Sequence, residues 1–195
     1  MKQKKPDYKG ALLIIDMVYD FVNPKGRVFY QNNRAVLENI NALIPLARKN
    51  GLLVIYIQHS HRAHKYDPKT LSGRKNCLQG TGGDTLDPSL PIDGDADYVI
   101  KKRRYSAFAH TDLDLILREH QIRKVVLCGT KTNNCIRSTV ETAYHLEYDV
   151  YVVRDCVATD KKDINDLHLR DIHKYYGTVV DSEELFNFVG GQNHE

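Results

Sequence analysis

The chain is 195 residues long, 42% hydrophobic and 27% charged, with a net charge of +3. That length can bury a full core without disulfide or metal staples, so one domain over residues 1–195 is expected. No apolar run approaches a bilayer span, and the basic start at residues 1–6 leads into no apolar signal segment, which points to a cytoplasmic protein without a membrane partner.

The basic excess sits in the Lys-rich start and in Lys101-Lys102-Arg103-Arg104. A nucleic-acid binder would show a broader basic face with interleaved aromatics, so no nucleic-acid partner is expected. The cysteines, Cys77, Cys128, Cys135 and Cys156, form no CxxC pair. That excludes zinc-ribbon and thioredoxin-type chemistry and reads as free thiols in a reducing compartment.

In chain order, residues 11–15 (Ala-Leu-Leu-Ile-Ile), 52–57, 98–100, 125–127, 150–153 and 178–180 are short apolar runs rich in β-branched residues. Continuous apolarity predicts strands buried on both faces, as in a parallel sheet. Between them Val36, Ile40, Leu43 and Ala47 recur at helical spacing, as do Leu113, Ile116 and Leu117, and Ile136, Val140 and Ala143. Gly51 marks the stop of the first helix, and Pro45 should kink or break it a turn early. Thr111-Asp-Leu-Asp114 fits a capping box. Strand–helix alternation with short connections predicts an α/β fold, a three-layer, Rossmann-like doubly wound sheet of about six mainly parallel strands. The exception is residues 59–97, rich in His, Gly, Pro and Asp and without periodicity; so long a loop in a compact domain is usually functional. Residues 190–195 read as a loose tip.

Ligands of open α/β sheets bind beyond the carboxyl ends of the strands, so the polar residues that follow each strand matter most. Asp16 follows the first strand; Gln58, His59 and His61 follow the second; Lys101 and Lys102 follow the third. Thr130-Lys-Thr-Asn-Asn-Cys135 follows the fourth and leads into a helix. Thr132, Asn133 and Asn134 are good N-cap types, which would put Cys135 in the first helical turn, where the positive end lowers a thiol's pKa. Asp16 either caps a turn or is a base with a raised pKa. Thiol, base and cation together make an activated nucleophile. The class of nucleotide-binding modules is disfavoured: no G-x-G-x-x-G follows the first strand, and no Walker segment occurs.

Three segments carry a resemblance: Ile14-Ile-Asp16-Met-Val-Tyr-Asp20-Phe21, Lys102-Arg-Arg-Tyr-Ser-Ala-Phe108 and Gly129-Thr-Lys-Thr-Asn-Asn-Cys135-Ile. The chain resembles the isochorismatase-like cysteine hydrolase superfamily, in its branch of nicotinamidases, N-carbamoylsarcosine amidases and ureidoacrylate amidohydrolases. The resemblance implies an Asp16–Lys102–Cys135 triad and a cis peptide at Thr130–Lys131 that aims the N–H groups of Lys131 and Cys135 as an oxyanion hole. It implies Phe21, Phe108, Asn134 and Tyr105 about the pocket, although the two phenylalanines also fit a core. Gln58 and His61 could hold the far end of a substrate, and Arg27, Arg103 or Arg137 a substrate carboxylate.

Nicotinamidases resembling this chain hold a metal with Asp-x-His after the second strand and a His before a loop Cys. Here His59-Ser-His61 and Asn76-Cys77 stand instead, so no metal and no cofactor is expected, with a His59, His61 and His64 cluster left open. The implied activity is cysteine-dependent hydrolysis of a C–N bond in a small amide, carbamoyl or ureido compound through a thioester. Vinyl-ether hydrolysis of the isochorismatase type, or nicotinamide hydrolysis, is the alternative. A homodimer or homotetramer is implied likewise.

Overall fold

The computed structural model describes residues 7–67 and 75–189; the Lys-rich start and the 190–195 tip lie outside the described residues. The strands are β1 (Gly10–Ile15), β2 (Leu52–His59), β3 (Tyr98–Lys102), β4 (Lys124–Thr130), β5 (Asp149–Ala158) and β6 (Thr178–Val180). The helices are α1 (Tyr19–Val22), α2 (Asn32–Lys49), α3 (Leu113–Glu119), α4 (Arg137–His145), α5 (Lys162–Tyr175) and α6 (Leu185–Val189), with a π-helical turn at Thr132–Ile136.

All six strands pair in parallel in the order β3-β2-β1-β4-β5-β6. Central β1 is fully buried because helices cover both faces. Its alternate side chains part accordingly. Ala11, Leu13 and Ile15 pack with Leu113, Leu117, Val140 and Ile172 of α3 to α5. Leu12 and Ile14 pack with Val36, Ile40, Leu43 and Ala47 of α2 and Leu185 of α6. The three-layer expectation is met. β3 departs from continuous burial: it is the sheet edge, so Val99 and Lys101 turn outward while Ile100 and Lys102 point in.

Two local expectations are corrected. Helix α2 runs through Pro45 to Lys49. Pro45 and Leu46 lie on the exposed face, where water can serve the carbonyl left without its N–H partner, while Leu43, Ile44 and Ala47 hold the buried face. The capping box does not form: the N-cap is Asp112 without a side-chain cap, Thr111 Oγ1 accepts from Leu113 N at 3.3 Å, and Asp114 binds Arg118 and Tyr148. Gly51 ends α2 as expected, at φ +79. No helix among the described residues is long and apolar enough to cross a membrane.

The sheet order changes direction between β1 and β4, so the crevice above their carboxyl ends is where such a sheet opens to a ligand. Gly129 allows the close approach there. Its φ is +114, and a Cβ would run into the Ile15 carbonyl. Gly129→Ala is therefore expected to lose about 3 kcal/mol or more of stability by urea denaturation. An unchanged midpoint would show that this contact is not tight.

Candidate active site

Each strand that ends at the crevice delivers one polar side chain. Asp16, directly after β1, adopts φ +60, a left-handed conformation that Asp tolerates better than most residues, and its N–H bonds the Ile57 carbonyl of β2 at 2.8 Å. β2 ends in His59 and β3 in Lys102, and β4 leads through a cis Thr130–Lys131 peptide into the π-helical turn that holds Cys135. The turn is closed by Ile136 N on the Lys131 carbonyl at 3.1 Å. Thr139 secures it by donating to the Cys135 carbonyl at 2.6 Å while accepting from Ala107 N at 3.0 Å.

These elements bring Asp16, Lys102 and Cys135 together, all buried. Lys102 Nζ lies 2.7 Å from Asp16 Oδ2, 3.0 Å from His59 Nδ1, 3.2 Å from the Arg104 carbonyl and 3.3 Å from Cys135 Sγ. Asp16, His59 and Cys135 would suit a metal by donor type, with ligand atoms within 4.8 Å of one another. The ammonium of Lys102 stands in contact with all three, so the cation of this cluster is part of the chain.

The electrostatics correct two expectations. Burial alone would raise the Asp16 pKa, but the Lys102 charge, the largest of the opposing effects, helps to hold the carboxyl below its ordinary value. Burial, reinforced by the Asp16 charge and only partly offset by Lys102, pushes the Cys135 thiol up to about 12. Any helix-start effect on the thiol is therefore outweighed by burial and by Asp16, and Thr132, Asn133 and Asn134 do not cap the turn. The turn begins after Lys131, Thr132 Oγ1 donates to Asn165 at 2.6 Å, and Asn133 Oδ1 accepts from Thr159 at 2.8 Å. The resting cluster is thus an ionised Asp16–Lys102 pair beside a protonated thiol. Asp16 Oδ1 is buried with no hydrogen-bond partner among the described residues and is the base available to that thiol.

Above Cys135 opens a cavity of about 580 Å³. Phe21, His61, Tyr105, Asn134 and Lys131 line it, as does His59. Phe108 does not: it sits in the core with its ring 5.6 Å from that of Tyr148. Gln58 does not either, since its amide donates to the Asp84 carbonyl at 2.6 Å and fastens the long loop. Of the arginines left open, only Arg103 reaches the cavity. Arg137 pairs with Glu141 and Asp171 over Tyr176, and Arg27 lies outside. His64 is exposed, whereas His59 and His61 are buried. Arg104, Val28 and Tyr30 line the cavity without having been foreseen. Arg104 could have been found from its place two residues beyond Lys102, whereas Val28 and Tyr30 lie in an irregular segment with no pattern to mark them. No Asp or Glu is among the lining residues, while Arg103, Arg104 and Lys131 are; Lys131 is paired with Asp160 at 3.1 Å.

The Isochorismatase domain family matches residues 10–184. The chain belongs to the isochorismatase family. Among relatives, a probable inactive nicotinamidase of Arabidopsis thaliana is 32% identical over 83% of this chain and 87% of its own length. The ureidoacrylate amidohydrolase RutB of Klebsiella pneumoniae is 30% identical, with 91% of this chain and 85% of its own covered. Among solved structures, the N-carbamoylsarcosine amidase of Thermoplasma acidophilum superposes with a TM-score of 0.78 at 30% identity, covering 90% of this chain and 97% of that one.

Proposed function

We propose that this isochorismatase-family chain is a cysteine-dependent amidohydrolase whose substrate is a small carbamoyl or ureido compound carrying a carboxylate. The observation that carries this reading is the buried Lys102 ammonium hydrogen-bonded to both Asp16 and Cys135, the latter lining the cavity. In the reading, Asp16 takes the Cys135 proton as Sγ attacks the carbonyl carbon. Lys102 and the N–H groups of Lys131 and Cys135 stabilise the negative charge that develops. Protonated Asp16 gives its proton to the departing nitrogen, and ammonia or an amine leaves a thioester, or its thiocarbamate equivalent. Asp16 then deprotonates the water that cleaves the Cys135–carbonyl bond and regenerates the thiol.

Two features support the substrate class. Arg103 and Arg104 line a cavity that also holds Phe21, Tyr30 and Tyr105 and, among the described residues, no acidic side chain, a setting that favours a carboxylate. RutB and the Thermoplasma enzyme bear names that join a carbamoyl group to a carboxylic acid.

The test is ammonia release across N-carbamoyl amino acids, ureidoacrylate, biuret, nicotinamide and simple amides, each with and without chelator. Turnover of the anionic carbamoyl and ureido compounds is expected, insensitive to chelator. Arg103→Gln should raise their KM about tenfold with kcat little changed. Turnover of nicotinamide alone, or of isochorismate alone when its consumption is followed in a parallel assay, would overturn the proposal in favour of those activities.

A further inference from the structure

Next to the reacting cluster lies a line of buried groups that the proposed chemistry does not use: His59, His61 and Asp67. His59 Nε2 is 2.9 Å from His61 Nε2, and His61 Nδ1 is 3.1 Å from Asp67 Oδ2. At its other end, His59 Nδ1 is 3.0 Å from Lys102 Nζ.

His59 Nδ1 also lies 3.5 Å from Asp16 Oδ2, farther than its 3.0 Å to Lys102 Nζ, and one arrangement of protons satisfies the three shorter links. An ammonium only donates, so His59 Nδ1 must present its lone pair to Lys102. A neutral imidazole then carries its proton on Nε2, which donates to His61 Nε2. That nitrogen must accept, so the His61 proton sits on Nδ1 and donates to the Asp67 carboxylate. Reversing any one ring sets N–H against N–H or N–H against ammonium. Burial and the neighbouring Lys102 charge both push the His59 pKa down, in keeping with a neutral ring.

The consequence falls on Lys102. An ammonium has three N–H donors. Asp16 Oδ2 and His59 Nδ1 each take one, and the third is left between the Arg104 carbonyl at 3.2 Å and Cys135 Sγ at 3.3 Å. A thiolate forming at Cys135 outcompetes a neutral carbonyl for that proton. We infer that His59 is a positioning residue, locked in one tautomer by His61 and Asp67, which orients the Lys102 ammonium so that one N–H faces Cys135. The inference rests on Lys102 serving the thiol as proposed above, yet both arms of its test are read without a substrate. An absence of turnover would therefore leave them interpretable.

In the first arm, long-range ¹H–¹⁵N NMR of histidine-labelled protein at neutral pH should show His59 protonated on Nε2 alone and His61 on Nδ1 alone. A proton on His59 Nδ1, or either ring charged, would overturn the inference. In the second, the rate of Cys135 alkylation by iodoacetamide is followed by peptide mass spectrometry. His59→Leu removes the acceptor and should slow alkylation about tenfold. His59→Asn, whose Oδ1 can take the place of Nδ1, should restore the rate to within about threefold of wild type. A ring that merely fills space predicts the opposite order, because leucine suits so buried a position better than asparagine. Should His59→Leu not fold, the wild-type NMR arm still decides the matter.

Discussion

Cys135→Ala is expected to reduce hydrolysis of whichever compound proves active by about ten-thousandfold or more while leaving the fold in place. The expectation of a large loss comes from the geometry. Among the described residues, Sγ is the only nucleophilic atom lining the cavity that contacts the Asp16–Lys102 pair. The expectation of an intact fold comes from packing. Cys135 is one small member of a large cluster, so its loss should cost about 1 kcal/mol. Ammonia release and circular dichroism on the same preparation test both halves. Acid quenching during turnover should trap a mass increment on the peptide containing residue 135 in the wild type and none in the variant. A folded variant that still turns over substrate would remove the nucleophile from the mechanism and favour hydrolysis without a covalent step.

The same experiment bears on how the thiol is activated. With its pKa raised to about 12 by burial and by Asp16, Cys135 does not rest as a thiolate. The sequence led to the opposite view because residue types suggested a capped helix start and could not show the depth of burial beside Asp16; the backbone there makes a π-helical turn without a side-chain cap. No residue type in Thr132–Ile136 announces that turn. By contrast, the strands were legible because burial on both faces requires unbroken aliphatic runs, and the strand ends then pointed to Asp16, to Lys101 and Lys102 and to the Cys135 segment, the family resemblance selecting Lys102. Helix α5 was not legible: among its fourteen residues only Leu169 and Ile172 are buried, too few to show a period. Phe108 and Gln58 went astray for a related reason. Neighbours in sequence to site residues, they face the core and the long loop, and a single chain of letters does not say which side of a backbone a side chain takes. The cavity arginines show the reverse: three were open from sequence, and the orientation of the segment after β3 singles out Arg103.

Asp16→Asn should be nearly as inert as Cys135→Ala, and unlike it should be strongly destabilised. Asparagine keeps the shape and tolerates the left-handed conformation at φ +60, so the change removes the charge without adding backbone strain. What it leaves is Lys102, 1% exposed, with no carboxylate beside it. Breaking a buried ion pair by removing one partner typically costs about 3–5 kcal/mol. The dependence on pH follows from the two shifts. Asp16, with its folded pKa lowered, contributes stability above the ordinary carboxylate pKa, and the contribution is lost as pH falls through the lowered value. Lys102, with its folded pKa raised, contributes below the ordinary lysine pKa and loses that contribution as pH rises through the raised value. The gap between wild type and Asp16→Asn in urea denaturation should therefore be widest and flat from about pH 5 to 9, and close toward both extremes. A gap that stays constant into strong acid would mean that the Asp16 charge does not stabilise the fold. The pair would then serve the chemistry alone, and the thiol would owe its reactivity to a cation held in place by the rest of the site.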